Sequence, residues 1–344
     1  MGIVRTTRLM DGGVGRSGNI PVPRPPSGSA LTRASSANSI ASGLSRMSDA
    51  EWNAGQIDGS RCGVRLWITA SVLARLGELP SEYIDTVPRK KLDQSLDYLE
   101  RSQTPGSGWS ENGSERADAF TTSWTMIALR SHRRPVPGAA VDFLLRCRQA
   151  DGGFSAYPGN DPACNPGSPG ITATALRALN TCDRAAGDFL ASGLRDDLSS
   201  KLAGKSSRFY LCSEILDWEA GLAPWPVLHL VSQSAVQFDM EGAYQQALLL
   251  RILLRMRNQR AWLAAATLRK MQLADGSWPT LSLVAPPIES GTTPLIESGT
   301  TPLSATEKEL LTAATAISAL AINDAQPGGY FANHESESRK RGAE

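Results

Sequence analysis

Histidine is the scarcest reactive side chain here: only three occur in 344 residues, at positions 132, 229 and 334. A Ser-His-Asp catalytic arrangement therefore has little material to draw on. Cysteine is also sparse. Cys62, Cys147, Cys164, Cys182 and Cys212 are odd in number and contain no Cys-x-x-Cys pair, which argues against a zinc knuckle or a disulfide framework and fits a reducing, cytoplasmic compartment. No Gly-x-Gly-x-x-Gly follows a strand, and neither a phosphate loop nor a nucleophile elbow is written. The longest apolar run, around Ala247 to Met256, is interrupted by Arg251 and Arg255. It falls short of the roughly eighteen apolar residues a membrane span needs. With a net charge of +1, bulk electrostatics gives no reason to expect nucleic acid.

The first fifty or so residues are Gly, Ser, Pro and Arg, with six Arg and two Asp and almost no aromatic before Trp52. Such a composition buries too little apolar surface to offset ordering entropy, so residues 1–52 are expected to be disordered. They contain no apolar signal core, which argues against secretion. Their Arg- and Ser-rich, acid-poor character also resembles an organelle transit peptide with a poor hydrophobic face.

What the chain does contain is a phrase written three times. An apolar run ends in Gln, small residues follow, and a large aromatic closes the turn: Tyr98 to Gln103 closing on Trp109, Phe143 to Gln149 on Phe154, and Thr267 to Gln272 on Trp278. The Gln precedes its aromatic by six, five and six residues, and two copies carry Asp-Gly (Asp151-Gly152, Asp275-Gly276). Each phrase leads into a second apolar segment ending in Ala-Leu, at Ala128-Leu129, Ala178-Leu179 and Ala319-Leu320. Apolar positions recur at three and four residues, so the repeating unit is a helical hairpin. Gly supplies the left-handed cap, the aromatic covers the turn, and Gln is placed to bond backbone groups orphaned at the helix ends. One hairpin cannot bury both faces, so its neighbours must complete the core.

Further helices are expected over Val64 to Leu76, Asp183 to Lys205, Phe209 to Glu219, Trp225 to Gln237 and Glu241 to Met256, about ten to twelve between 55 and 325. A tandem octapeptide, Ile288 to Leu295 and again Ile296 to Leu303, interrupts the third unit within an insertion loop at 281–304. It reads as a duplication in a tolerant loop. Residues 326–344 form a Gly-rich, then charged, flexible tail.

Gln, a Gly-rich turn, Trp or Phe, and then a Thr-rich helix ending in Ala-Leu: this order resembles the repeat of squalene-hopene cyclases, oxidosqualene cyclases and protein prenyltransferase beta subunits. The resemblance covers about residues 60 to 325. It implies an all-α fold of the α/α toroid type, a double ring of helical hairpins over 53–325 around a hydrophobic cavity.

The implied chemistry is only partly matched. Bacterial cyclases of this kind donate a proton from the middle Asp of an Asp-x-Asp-Asp-Thr-Ala motif. The segment Asp118-Ala119-Phe120-Thr121-Thr122 aligns with it without gaps, but Phe120 occupies the donor position and Thr121 the next Asp. Asp118 is then either a displaced acid or the N-cap of a helix. Glu214 and Asp217 are the other carboxyls available as acids. The prenyltransferases hold zinc with an Asp-x-Cys pair and a distant His. Here Cys212, Glu214 and His229 are capable ligands but in a different order and spacing, a weak signal, and a structural Cys, a solvated acid and an interfacial His explain them better.

Lys201, Lys205 and Arg208 would form a helical stripe suited to a prenyl diphosphate, or simply a solvated face. Phe120, Trp124, Trp218, Trp225 and Phe238 are candidates to line the cavity and meet substrate, or else to fill the core. The expected function is that of an isoprenoid-processing protein binding or cyclising a prenyl or other hydrophobic substrate. The alternative is a noncatalytic toroid acting as a scaffold or as a binding module for a hydrophobic ligand or protein segment. The cofactor is unknown, the alternatives being none, Mg²⁺ or Zn²⁺. Because helical periodicity dominates, far-UV circular dichroism should report a predominantly helical protein with negligible sheet. A β-dominated spectrum would overturn this reading.

Overall fold

The computed structural model describes residues 29–49, 52–53, 56–57, 65–111, 116–159, 167–181, 183–199, 242–258, 260–280 and 304–325. Within them the chain is all-α. Eleven helices are α1 (Ser29–Asp49), α2 (Leu66–Leu76), α3 (Ser81–Ile84), α4 (Arg89–Arg101), α5 (Ala119–Ser131), α6 (Gly138–Arg146), α7 (Pro169–Leu179), α8 (Arg184–Ser199), α9 (Ala243–Arg255), α10 (Ala261–Lys270) and α11 (Ala305–Ala325). A two-residue-per-strand antiparallel ribbon, Trp52–Asn53 with Gln56–Ile57, is the only sheet among the described residues.

The helices divide by burial. Every residue of α2 is buried, as are most of α5, α7, α9 and α11. In contrast α4 buries only Leu92, Ser95, Leu96 and Leu99, one stripe at i, i+3, i+4 and i+7, and α6 only Ala140, Phe143 and Leu144. The fully buried helices form a row in the order α9, α11, α2, α5, α7, each packed on the next. Helices with a single apolar stripe flank that row. Small side chains allow the close approach within it. Several buried hydroxyls are satisfied inside their own helices, as when Ser123 donates to Ala119 O at 2.6 Å, Thr125 to Thr121 O at 2.9 Å and Thr315 to Leu311 O at 2.7 Å, whereas those of Thr69, Ser95 and Thr312 have no partner.

The three repeat turns share one hydrogen-bond pattern. Thr104 N donates to Gly108 O, Gln149 N to Gly153 O and Leu273 N to Ser277 O, in each case just before the aromatic. Inside this loop Ser107 N bonds Thr104 O, Gly152 N bonds Gln149 O and Gly276 N bonds Leu273 O. The uneven Gln spacing now has a cause: Gln149 occupies the backbone position of Thr104 and Leu273, one place after Gln103 and Gln272. Gln103 and Gln272 accordingly donate to the turn carbonyls of Ser107 and Gly276 at 2.7 and 2.9 Å. Gln149 reaches Ser155 Oγ and Gly159 O instead.

Both tryptophans bond the helix they close over, Trp109 Nε1 to Leu99 O at 2.6 Å and Trp278 Nε1 to Leu268 O at 3.0 Å. The amides of Trp109 and Phe154 donate to a Thr one turn into the following helix, Thr122 Oγ1 and Thr172 Oγ1. At Gly152 and Gly276 φ is positive, and a Cβ would lie 2.4 Å from the Ala185 backbone or 2.6 Å from that of Ser42. Glycine is obligatory at these two turns for both reasons.

A second shared motif lies at the other end. α5, α7 and α9 each finish with a non-glycine residue in the left-handed region, at Arg133, Asn180 and Arg257. The following amide then reaches back five residues, from Arg134 N to Leu129 O, Thr181 N to Leu176 O and Asn258 N to Leu253 O. This is the Schellman closure.

The expected disorder of residues 1–52 is corrected over 29–49. There the chain forms α1, which packs on α11 and α10. Ser36, Ile40, Gly43, Leu44 and Met47 face inward, a spacing of four, three, one and three that places them on one helical stripe. Gly43 lies against the Trp278 ring, Arg269 donates to Ser36 Oγ at 2.7 Å and Gln272 to Ser39 O at 2.9 Å. Small residues read as disorder because their apolar content is low, yet they are what a closely approached helix needs. Residues 1–28, the duplicated octapeptide, the tail from 326, and the helices expected at 209–219 and 225–237 lie outside the described residues.

Trp109 and Trp278 are 0% and 2% exposed and each couples ring burial to a hydrogen bond. Trp109→Ala and Trp278→Ala should each cost about 3–5 kcal/mol, and the corresponding Phe variants less. Urea unfolding of the variants provides the check, and midpoints matching the parent would contradict the role given to these rings.

Candidate functional site

The buried helices α2, α5, α7 and α11 run in the same direction. At their starts, Arg65 before α2 meets Glu307 in the first turn of α11 at 3.9 Å. At their ends, His132 Nε2 hydrogen-bonds Leu73 O at 2.8 Å, and Arg130 donates to Ala178 O. Parallel helix dipoles gather positive potential at one end of the row and negative potential at the other. The side chains answer this: Asp118 and Glu307 lie at the starts, and Arg75, Arg130, Arg177 and Arg255 in the last turns.

Asp118 caps α5, its Oδ1 accepting from Thr121 N at 2.7 Å. Its backbone bridges Trp109, so the turn aromatic fixes where the carboxyl sits. The residue retains partial solvent contact. Even so its carboxyl is pushed up to about 7, with burial as the largest cause, Thr121 hydrogen bonding opposing it and the Glu111 charge adding to it. A buried acid also caps α11, where Ser304 and Glu307 form a reciprocal capping box at 2.8 and 3.1 Å. Around Asp118 stand Tyr157, with the Arg116 guanidinium 3.8 Å from its ring centroid, and Cys147. Burial pushes the Cys147 thiol up to about 12, so it is an inert core group rather than a nucleophile.

Phe120 is buried and meets Trp67 edge to face, with centroids 5.4 Å apart. Trp124, expected to offer its face to substrate, is buried and already carries two of the protein's own cations. The guanidiniums of Arg75 and Arg177 lie 5.3 and 5.6 Å from its ring centroid. Those arginines converge with Arg251 on Glu78, just past the end of α2. Arg177 reaches Glu78 at 2.8 Å, Arg251 at 2.8 and 3.2 Å, Arg75 at 3.3 Å, and Ser318 Oγ at 2.6 Å. Where these helices meet the described interior is polar, whereas the apolar cavity expected is one lined by Phe120, Trp124, Trp218, Trp225 and Phe238, the last three of which lie outside the described residues. Sequence reasoning missed this cluster. Its signal was arginine at 75, 177 and 251 within otherwise apolar helices, the last of which was read only as a break in a hydrophobic run.

A polar groove of about 430 Å³ opens at the C-terminal end of α2 and α5, lined among others by Gly77, Val87, Arg89, Asp93 and His132. Burial holds His132 below the usual histidine range. Of the residues expected to form a site, Asp118, Phe120 and Trp124 are described and lie on one helix or at its cap. Glu214, Asp217, Trp218, Trp225, Phe238, Lys201, Lys205, Arg208, Cys212 and His229 lie outside the described residues. Among the described residues no group of three His, Cys, Asp or Glu side chains is placed to hold a metal, and no helix is long and apolar enough to cross a membrane.

Asp118 has a pH consequence of definite sign. Its unfolded value is near 3.8 and its folded value about 7, so the folded state holds the proton more tightly. Its contribution to stability is present in full below about pH 4 and is lost as pH rises through about 7. Asp118→Asn should therefore flatten the fall in melting temperature between pH 5 and pH 8. An unchanged pH profile would show that the carboxyl is not desolvated.

No protein-family model and no curated protein matches this chain. It is similar in structure to a crystal structure of a protein from Actinoplanes, with a TM-score of 0.60 at 18% identity over 83% of this chain and 99% of that one. That likeness establishes a shared fold.

Proposed function

We propose that this chain is an isoprenoid-processing protein of the terpene cyclase and prenyltransferase kind, acting in the cytoplasm on a prenyl or other hydrophobic substrate. The observation that carries the reading is Asp118. A carboxyl raised to about 7 at the start of a buried helix, two residues before the Phe120 that occupies the donor position of the cyclase motif, can hold a proton at pH 7 and deliver it as a displaced acid. The repeated hairpin turns and the parallel row of buried helices are the scaffold such a site uses, and closure of that row into a toroid belongs to the same proposal.

A second reading, a noncatalytic toroid that binds a hydrophobic ligand or protein segment, is favoured by one specific observation. Arg75, Arg177, Trp124, Glu78 and Arg251 fill the interior with ion pairs and cation–π contacts, and that leaves the Trp124 face no role towards a carbocation.

Purified full-length chain should be incubated with squalene, and with farnesyl and geranylgeranyl diphosphates, with and without Mg²⁺ or Zn²⁺. The catalytic reading expects cyclised or transferred product, lost by at least about a hundredfold in Asp118→Asn while substrate binding and the helical fold persist. Binding without conversion would select the second reading. Turnover that survives the substitution would remove Asp118 as the acid.

A further inference from the structure

Among the described residues a few buried side-chain polar atoms lack a hydrogen-bond partner, and beside the hydroxyls of Thr69, Ser95 and Thr312 the indole N–H of Trp67 is the one aromatic donor among them. Trp67 is the second residue of α2 and is 3% exposed, and its Nε1 has no hydrogen-bond acceptor. The two repeat tryptophans at 109 and 278 both satisfy their indoles on helix carbonyls, so the chain bonds a buried indole where packing alone is at stake. Leaving a buried donor unpaired costs about 1–3 kcal/mol, and native proteins retain few such groups.

Its position is also particular. Trp67 lies edge to face with Phe120, the second residue of α5, and Asp118 caps that same helix. The starts of two adjacent buried helices thus bring together two aromatic rings, a donor without an acceptor, and a carboxyl. Charged residues surround them: Arg65 pairs with Glu111 at 3.6 Å and Glu307 at 3.9 Å, and Leu66 N is held by Glu111 O at 3.0 Å.

We infer that the starts of α2 and α5 form the polar end of the hydrophobic-ligand site, where Trp67 Nε1–H donates to an oxygen atom of an otherwise apolar ligand. This rests on the isoprenoid-binding reading and narrows it. An indole donates and cannot accept, so its partner carries an acceptor such as a hydroxyl, carbonyl or epoxide oxygen. A bare hydrocarbon leaves the donor unpaired, and the site discriminates against it for that reason.

Trp67→Phe keeps an aromatic ring beside Phe120 and removes the N–H. Calorimetric titration with farnesol and with farnesene, which shares its carbon skeleton but lacks the hydroxyl, separates donor from packing. The parent should bind farnesol about tenfold more tightly, the equivalent of one net hydrogen bond. The variant should lose that preference while its farnesene affinity holds. In parent protein carrying ¹⁵N-labelled tryptophan, the Trp67 indole proton signal should move downfield with farnesol and not with farnesene, a readout independent of how the variant folds. Equal affinity for the two probes in the parent, an unchanged preference in Trp67→Phe, or an indole signal indifferent to the hydroxyl would overturn the inference alone. Binding of neither probe would remove both the inference and the reading beneath it.

Discussion

The packing of the buried helices depends on a single carboxylate. Glu78 projects from the end of α2, where the helix dipole disfavours an anion, and it is held there by Arg75, Arg177, Arg251 and Ser318. These partners come from α7, α9 and α11 as well as from α2, so four of the five helices in the row converge on one group. A buried ion cluster contributes modestly against an apolar equivalent, yet removing one member leaves uncompensated charge, at a cost of about 3–5 kcal/mol. The row is thereby fixed in register and in helix choice more than it is made sticky. Apolar and small side chains alone would permit neighbouring helices to slide, whereas guanidiniums directed at one carboxyl do not.

The turns and the cluster divide the work between the two ends of the row. At the starts, aromatic residues, Gln and backbone bonds build the same turn three times, and Asp118 inherits its position from Trp109. At the ends, arginine both answers the dipoles and supplies the interior ion pairs. The half-buried carboxyl of Asp118 and the unpaired Trp67 indole lie at the starts, while the ends carry the Glu78 ion cluster and the polar groove beside His132.

Much of this was legible in the chain. The spacing of Gln, Gly and aromatic located the turns, and three-and-four periodicity located α2, α4, α5, α7, α9 and α11, because both signals are local. Asp118 as a helix cap was legible for the same reason. The Glu78 cluster was not: Arg75, Arg177 and Arg251 are brought together by tertiary packing, and each looks alone like a polar interruption. α1 was missed because a helix that packs through Ser, Gly and a few aliphatics has the composition of a disordered segment, although its stripe from Ser36 to Met47 has helical spacing. The Schellman ends at Arg133 and Arg257 gave no warning either, since the glycine that usually marks them is absent.

The placement of α1 bears on the order in which the chain can be assembled. Its contacts are with α10 and α11, reached through Arg269 and Glu309 at separations of 233 and 263 residues. At about 5–20 residues per second of synthesis, α1 leaves the ribosome roughly ten to fifty seconds before its partners exist. A helix of Leu and Phe would spend that interval as an aggregation hazard. One built mainly from Ser, Ala and Gly stays harmless in solvent and becomes a good partner only when Trp278 arrives to lie against Gly43, so its polar composition suits the delay as well as the fit.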